Sequence, residues 1–371
     1  MISSKDESRK NVKEQELKPK VQRTLEELLK QAGVSLVGEP NQPSKKIDTG
    51  NSRTDLELTV RTPSVGDYRL VVEIKDRLLP QNARLVSLQL RNFLQNRPNH
   101  QYGILAAPFI SPEVAAISRE AGLGSVDLAG NCLLQFGGLY IEVSGRLNPF
   151  KENRLLKSVF SRVSSRALRR LFLEPKRTWS LSALAQEANV SLGQTFTLKN
   201  ALLLQEFLQE LRQEGKRATY QLRNPRSLLT RWSEAYSYKK NRISTFYVMA
   251  EPAEIENQLA DICRQYDLRY AFTLTSGAIR VAPYLPYSRV FAYVDGSVQV
   301  LQEALGWKEV DSGGNLAILE PYDEGILFGL QQVNGTTVVS DLQLYLDLHG
   351  FPQRGEEAAD WILQTRLEPS W

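Results

Sequence analysis

The apolar residues change their period near residue 150, and this change limits the fold more than any other feature. Before it, short runs of period two, TDLELTV and RLVVEIK, alternate with runs that repeat every three or four residues, such as VQRTLEELLKQAG. The first pattern pleats into strands, and the second coils into amphipathic helices. After it, residues 152–224 are helical and basic and close on a short strand pair; from 244 strands and helices alternate again. No internal repeat is visible. A chain of 371 residues forms two or three domains. The fold class expected is α/β. A polar tail at 1–17, expected to be disordered, precedes an α/β domain over 18–148. A central helix-turn-helix with a wing follows over 152–224, then a linking helix over 225–243 and an acidic α/β domain over 244–371.

Within 18–148 the order is helix, paired strands, helix, strand, helix, strand, hairpin. Val21, Leu25, Leu28 and Leu29 share one helix face, and Gly33 ends it. GEPNQPSKKIDTGNS (38–52) is a polar loop. QNARLVSLQLRNFLQN is a helix, QYGILAAP a buried strand, and SPEVAAISREAG a helix opened by Ser111 and Pro112. GSVDLAG is a further strand, and NCLLQFGGLYIEVSG a closing hairpin.

At the end of RLVVEIK, Glu73 and Lys75 are two residues apart on a strand and project together, whereas Leu70, Val72 and Ile74 face the other way. Asp55 lies on the preceding strand, which is expected to pair with this one. Two carboxylates and an ammonium then converge at one end of a hairpin. Such carboxylates, Asp55 and Glu73, can ligate Mg²⁺, which polarises a phosphate and activates water, while Lys75 steadies developing charge. The plainer reading is an ion pair on a sheet face. Asp55, a gap of 17 residues, then Glu73-Ile74-Lys75 and a helix carrying Gln89 resemble the PD-(D/E)XK nuclease superfamily. Helix, hairpin, helix, strand is also that superfamily's core order. The resemblance implies a restriction-endonuclease-like domain with Asp55, Glu73, Lys75 and Gln89 as catalytic residues. It further implies a glutamate from the first helix, Glu26 or Glu27. Thr54 stands where the family often has proline.

The net charge of +4 conceals an uneven distribution. Residues 151–242 hold 19 Lys/Arg against 7 Asp/Glu, whereas residues 243–371 hold 7 against 18. A basic segment beside an acidic one points to a polyanion-binding module joined to a part with another partner. In the basic segment LSALAQEA is a short helix and Asn189-Val190 a turn. Ser191 opens a second helix, and Gln194 completes a capping box. Along that helix Leu192, Phe196, Leu203 and Leu204 are apolar. Gln194, Thr195, Thr197, Lys199 and Asn200 are the polar residues near its start, where a recognition helix reads bases. EGKRATYQL then makes a turn and a strand, with Lys216 and Arg217 at the tip of a wing. Arg166, Arg169, Arg170, Lys176 and Arg177 flank the unit and are expected to contact phosphates. The partner expected is double-stranded DNA, met by a homodimer where the site is symmetric.

SVDLAGNCLLQFGGLYIEVSG (125–145), SRALRRLFLEPKRTWSLSALAQEANVSLG (165–193) and VVSDLQLYLDLHGFPQRGEEAADWIL (338–363) resemble, over roughly residues 50–371, the AbiEi-type transcriptional regulators and antitoxins of type IV toxin–antitoxin (abortive infection) systems. The resemblance implies a winged helix that represses its own operon and a C-terminal domain that counteracts a nucleotidyltransferase toxin encoded beside it. Smaller members carry the winged helix at the N-terminus; here an α/β domain precedes it. Asp341, Asp347, Arg354, Glu356, Glu357 and Asp360 read as a solvated helix face with local ion pairs, or as an acidic docking face for a basic toxin. His100 and His349 have no metal-ligating companions in sequence. Cys132 and Cys263 fit a reducing cytoplasm. No apolar stretch is long enough for a membrane helix, and no signal-peptide core opens the chain. Two further functions stay open. One is an active Mg²⁺-dependent DNA endonuclease targeted by the winged helix; the other is a protein-interaction antitoxin with secondary DNA binding.

Overall fold

The computed structural model describes residues 3–37, 55–62, 66–95, 100–150, 159–281, 287–296, 298–352 and 354–371, with side chains from Glu16 onward. The polar loop expected at 38–52 lies outside these residues. The chain divides into two compact units, Met1–Glu152 and Asn153–Trp371, and both are mixed α/β.

The first unit runs α1 (Ser3–Gln31), β1 (Ser35–Leu36), β2 (Leu56–Thr62), β3 (Gly66–Ile74), α2 (Pro80–Gln95), β4 (Gln101–Ala107), α3 (Pro112–Glu120), β5 (Gly124–Asp127), β6 (Cys132–Phe136) and β7 (Leu139–Val143). These strands form one seven-stranded sheet in chain order. β3, β4 and β5 run parallel, because α2 and α3 carry the chain back between them. The remaining neighbours are antiparallel. β6 turns into β7 through Gly137 and Gly138, whose φ values of 54° and 79° suit a two-residue hairpin loop. Alternation along β3 sorts the two faces. Leu70, Val72 and Ile74 pack with Val21, Leu25 and Leu29 of α1. Val71 packs, with Leu105 and Ala107, against Ala83, Val86 and Leu90 of α2 and Val114 and Ile117 of α3. The sheet therefore lies between α1 and the α2–α3 pair. The structure differs from expectation at the N-terminus, where residues 1–17 are helical from Ser3 onward. Lys and Glu are frequent there and favour helix intrinsically, so low hydrophobicity did not prevent one.

The second unit begins with α4 (Ser164–Leu173), α5 (Leu181–Glu187), α6 (Leu192–Leu204), β8 (Leu208–Leu211), β9 (Thr219–Leu222) and α7 (Pro225–Ala235). β8 and β9 form a hairpin, and Trp179 bridges to Tyr220 on its edge. There follow β10 (Arg242–Tyr247), α8 (Pro252–Gln265), β11 (Arg269–Phe272), α9 (Leu274–Val281), β12 (Val290–Asp295), α10 (Val298–Leu305), β13 (Lys308–Glu309), β14 (Leu316–Glu320), β15 (Gln331–Val333), β16 (Thr336–Val338), α11 (Asp341–His349) and α12 (Gly355–Ile362). The second sheet has the order β13-β10-β14-β12-β11-β16-β15. One face packs Phe246, Phe272 and Ile318 against Ile255 and Leu259 of α8 and Leu301 of α10. The other packs Ala271, Tyr293 and Leu319 into a larger core. That core also holds Leu168 and Phe172 of α4, Leu198 and Leu202 of α6, Leu228, Leu229 and Trp232 of α7, and Leu342 and Leu346 of α11. The central and C-terminal segments thus share one interior. α7, expected as a link, is instead part of it, because Leu228, Leu229 and Trp232 form an apolar stripe at helical spacing.

Candidate nucleic-acid interface and a carboxylate–lysine cluster

In the first unit Leu56 pairs with Val72, which sets Asp55 beside the end of β3. Asp55 Oδ2 accepts the Ile74 backbone N–H at 2.7 Å. Lys75 Nζ lies 2.8 Å from Glu73 Oε1 and 3.9 Å from Asp55 Oδ2, and the Lys75 N–H donates to Ala106 O at 2.9 Å. The three side chains expected together are together, partly open to solvent. Gln89 is exposed on α2. Glu26 accepts from Gln22 and Glu27 pairs with Arg23, both within α1. α1 covers the sheet face opposite to that of Glu73 and Lys75. Among the described residues no group of three or more His, Cys, Asp or Glu is placed to hold a metal. Asp127, at the end of β5, is buried and fully engaged. It accepts from the N–H groups of Ile110 and Asn131 and from Asn131 Nδ2, which ties two loops together.

In the second unit Ser191 caps α6: its hydroxyl accepts the Gln194 N–H and donates to Gln194 Oε1 at 3.1 Å. Thr195, Leu198, Ala201 and Leu202 form the buried face. Thr195, expected on bases, is therefore turned inward, with its hydroxyl on Ser191 O. Gln194 and Thr197 are exposed, and Lys199 and Asn200 half-buried. Lys199 Nζ stands 4.4 Å over the Phe196 ring and 5.3 Å over that of Tyr220. Lys216 and Arg217 are exposed at the tip between β8 and β9.

The flanking arginines divide. Lys176 is exposed. Arg170 is half-buried over the Phe328 ring, with its Nε on Glu187 O. Arg177 stacks over Trp179 and pairs with Glu174 and Glu187, and this contact holds the Glu187 carboxyl below its usual range. Arg166 and Arg169 are corrections to the expected phosphate contacts. Arg166 pairs with Asp323 at 2.8 Å and Glu324 at 2.7 Å. Hydrogen bonding to Asp323 raises its pKa further. Arg169 is buried, lies over Trp232, and donates to Ser165 Oγ and to Gln343 Oε1 at 2.8 Å. Helical spacing alone does not show which arginines of α4 face the core; the C-terminal segment supplies their partners.

Sequence reasoning missed the buried polar cluster that Arg169 joins through Gln343. Asp347, expected on a solvated face, is buried on α11. It accepts from Tyr236 Oη at 2.7 Å, Tyr293 Oη at 3.1 Å, Thr273 Oγ1 at 2.6 Å and Gln343 Nε2 at 2.9 Å. Burial raises its carboxyl pKa to about 6, against the pull of these donors. The signal available was the run LQLYLDL, too apolar throughout for a surface helix. Asp341 pairs with Arg366, whereas Arg354, Glu356, Glu357 and Asp360 are exposed. His100 meets the edge of the Tyr68 ring, and His349 stacks on Tyr345. No described helix is long and apolar enough to cross a membrane.

Comparison with curated proteins and with solved structures gives no significant match. Residues 221–368, from the end of the β8–β9 hairpin through α12, match the family model for the transcriptional regulator and AbiEi antitoxin of type IV toxin–antitoxin systems.

Proposed function

We propose that this protein is a DNA-binding transcriptional regulator and antitoxin of a type IV toxin–antitoxin system. In this reading α4, α5, α6 and the β8–β9 hairpin form a winged helix. One observation carries the reading: these helices share a single core with the segment that matches the regulator and antitoxin family. α6 lies in the major groove with Gln194, Thr197, Lys199 and Asn200 toward bases, and Lys216 and Arg217 on the backbone. Arg170 and Lys176 add phosphate contacts; Arg166 and Arg169 do not, being held by Asp323 and Gln343. Two copies of the chain would meet a symmetric operator. The C-terminal segment faces the toxin, a nucleotidyltransferase-type protein.

The test is binding of the full chain to DNA from upstream of its own gene across a salt series. Each phosphate contact adds about 0.9 to the slope of log affinity on log salt, so Lys216→Ala with Arg217→Ala reduces the slope by about 2. An unchanged slope removes the wing. Loss of repression of a reporter placed behind the same DNA, in the same variant, separates regulation from mere binding.

A second reading, an endonuclease activity of the first unit, is favoured by the convergence of Asp55, Glu73 and Lys75. Two carboxylates are what Mg²⁺ commonly takes from a protein, with water and substrate phosphate completing its shell, so Asp55 and Glu73 suit it. When bound, the ion would polarise the scissile phosphate. Lys75, paired with Glu73, would neutralise charge on the phosphate and keep the two carboxylates close. On this reading DNA nicking requires Mg²⁺ or Mn²⁺ and disappears in Lys75→Ala. Intact DNA on a denaturing gel, with protein shown to bind it, rejects the reading.

A further inference from the structure

The outward face of α6 is apolar where a reader of bases is usually polar. Leu192 is 55% exposed and Phe196 50% exposed, on successive turns of the same face. Single exposed apolar residues are unremarkable, but two together on one helix make a strip that water does not favour. Phe196 is not loose, because the Lys199 ammonium lies over its ring and over that of Tyr220 on β9. The cation ties helix to hairpin and holds the ring outward. Gln194, the residue best suited to adenine, lends its Oε1 to Ser191 at the cap. The exposed surface near the start of α6 thus presents hydrocarbon, from Leu192 and Phe196, beside the polar Gln194 and Thr197.

We infer that Phe196, supported by Leu192, reads thymine through its 5-methyl group, so that the protein prefers A·T-containing sites in the major groove. This rests on the DNA-binding reading above. The thymine methyl is the one apolar mark that the major groove displays, and phenylalanine is among the side chains that meet it. Charge favours this occupant over a protein surface: Lys199 flanks the strip, Lys216 and Arg217 are exposed on the neighbouring hairpin tip, and the segment 151–242 is strongly basic.

The full chain is titrated with a duplex of alternating A·T pairs and with its counterpart carrying uracil at every thymine position, which lacks only the methyl groups. Wild type is expected to bind the thymine duplex about four-fold more tightly for each methyl buried. Phe196→Ala abolishes this preference, and Phe196→Leu retains most of it. Both variants alter an exposed side chain, and an unchanged thermal midpoint verifies their fold. Salt-dependent binding without preference in wild type, or a preference that survives Phe196→Ala, overturns the inference and leaves the winged-helix reading intact. Failure to bind either duplex or upstream DNA at low salt overturns both, and marks the strip as a protein-docking face.

Discussion

Asp347 shows how one buried carboxyl makes stability depend on pH. Its pKa rises from about 4 unfolded to about 6 folded, because burial penalises the anion more than four donors reward it. A carboxyl that holds its proton more tightly when folded contributes most at low pH. That contribution is complete below about 4, declines as pH rises to about 6, and is flat above. A shift of two units corresponds to about 3 kcal/mol. Between those limits the stability of wild type relative to Asp347→Asn is expected to fall by about this amount. All five tryptophans lie in the second unit, so urea unfolding followed by tryptophan fluorescence reads the effect without interference from the first. A constant difference across the window would assign the carboxyl an ordinary pKa. The exposed carboxylates of Asp67, Glu142 and Glu187 shift in the opposite direction through contacts with arginine or tyrosine, and cancel in the comparison.

At the scale of elements, α4 changed role between sequence and structure. Its arginines read as a basic rim, yet Arg169 lies over Trp232 and donates to Gln343, which in turn donates to Tyr236 and Asp347. Arg169→Ala removes this link and leaves Gln343 Oε1 without its donor. A loss of about 3 kcal/mol in stability is expected. The salt slope of DNA binding, measured on the folded variant, should not change; a reduced slope would return Arg169 to the phosphate backbone. Other elements were legible because their signals are local. Ser111 with Pro112, and Ser191 with Gln194, open helices where the capping rules place them. Glu73 and Lys75 come together because Lys75, one residue past the end of β3, continues the alternation of the strand and pairs with Glu73. Thr195 was misassigned because polarity suggested exposure, whereas its hydroxyl is satisfied within the helix by Ser191 O and can be buried.

For the whole molecule, the two compact units predict separable folding. A fragment of residues 153–371 should retain the tryptophan-monitored unfolding midpoint of the full chain. A fragment beginning at 225 should not fold, because it leaves behind Leu168, Phe172, Trp179, Leu198 and Leu202 of its core. A cooperative transition in the shorter fragment would restore the central segment as an independent domain. The sequence by itself determined the α/β class, the order of the elements in the first unit, the pairing of Glu73 with Lys75 and the basic character of the central segment. These follow from period, capping and composition, which act over a few residues. Only the tertiary structure decided that the central and C-terminal segments share an interior, that Arg166 and Arg169 are held by Asp323 and Gln343, that Asp347 is buried, and that Phe196 is not. The first three depend on which face of a helix meets a partner more than a hundred residues away. Local periodicity reveals that a face exists; the packing of distant elements decides which face is covered.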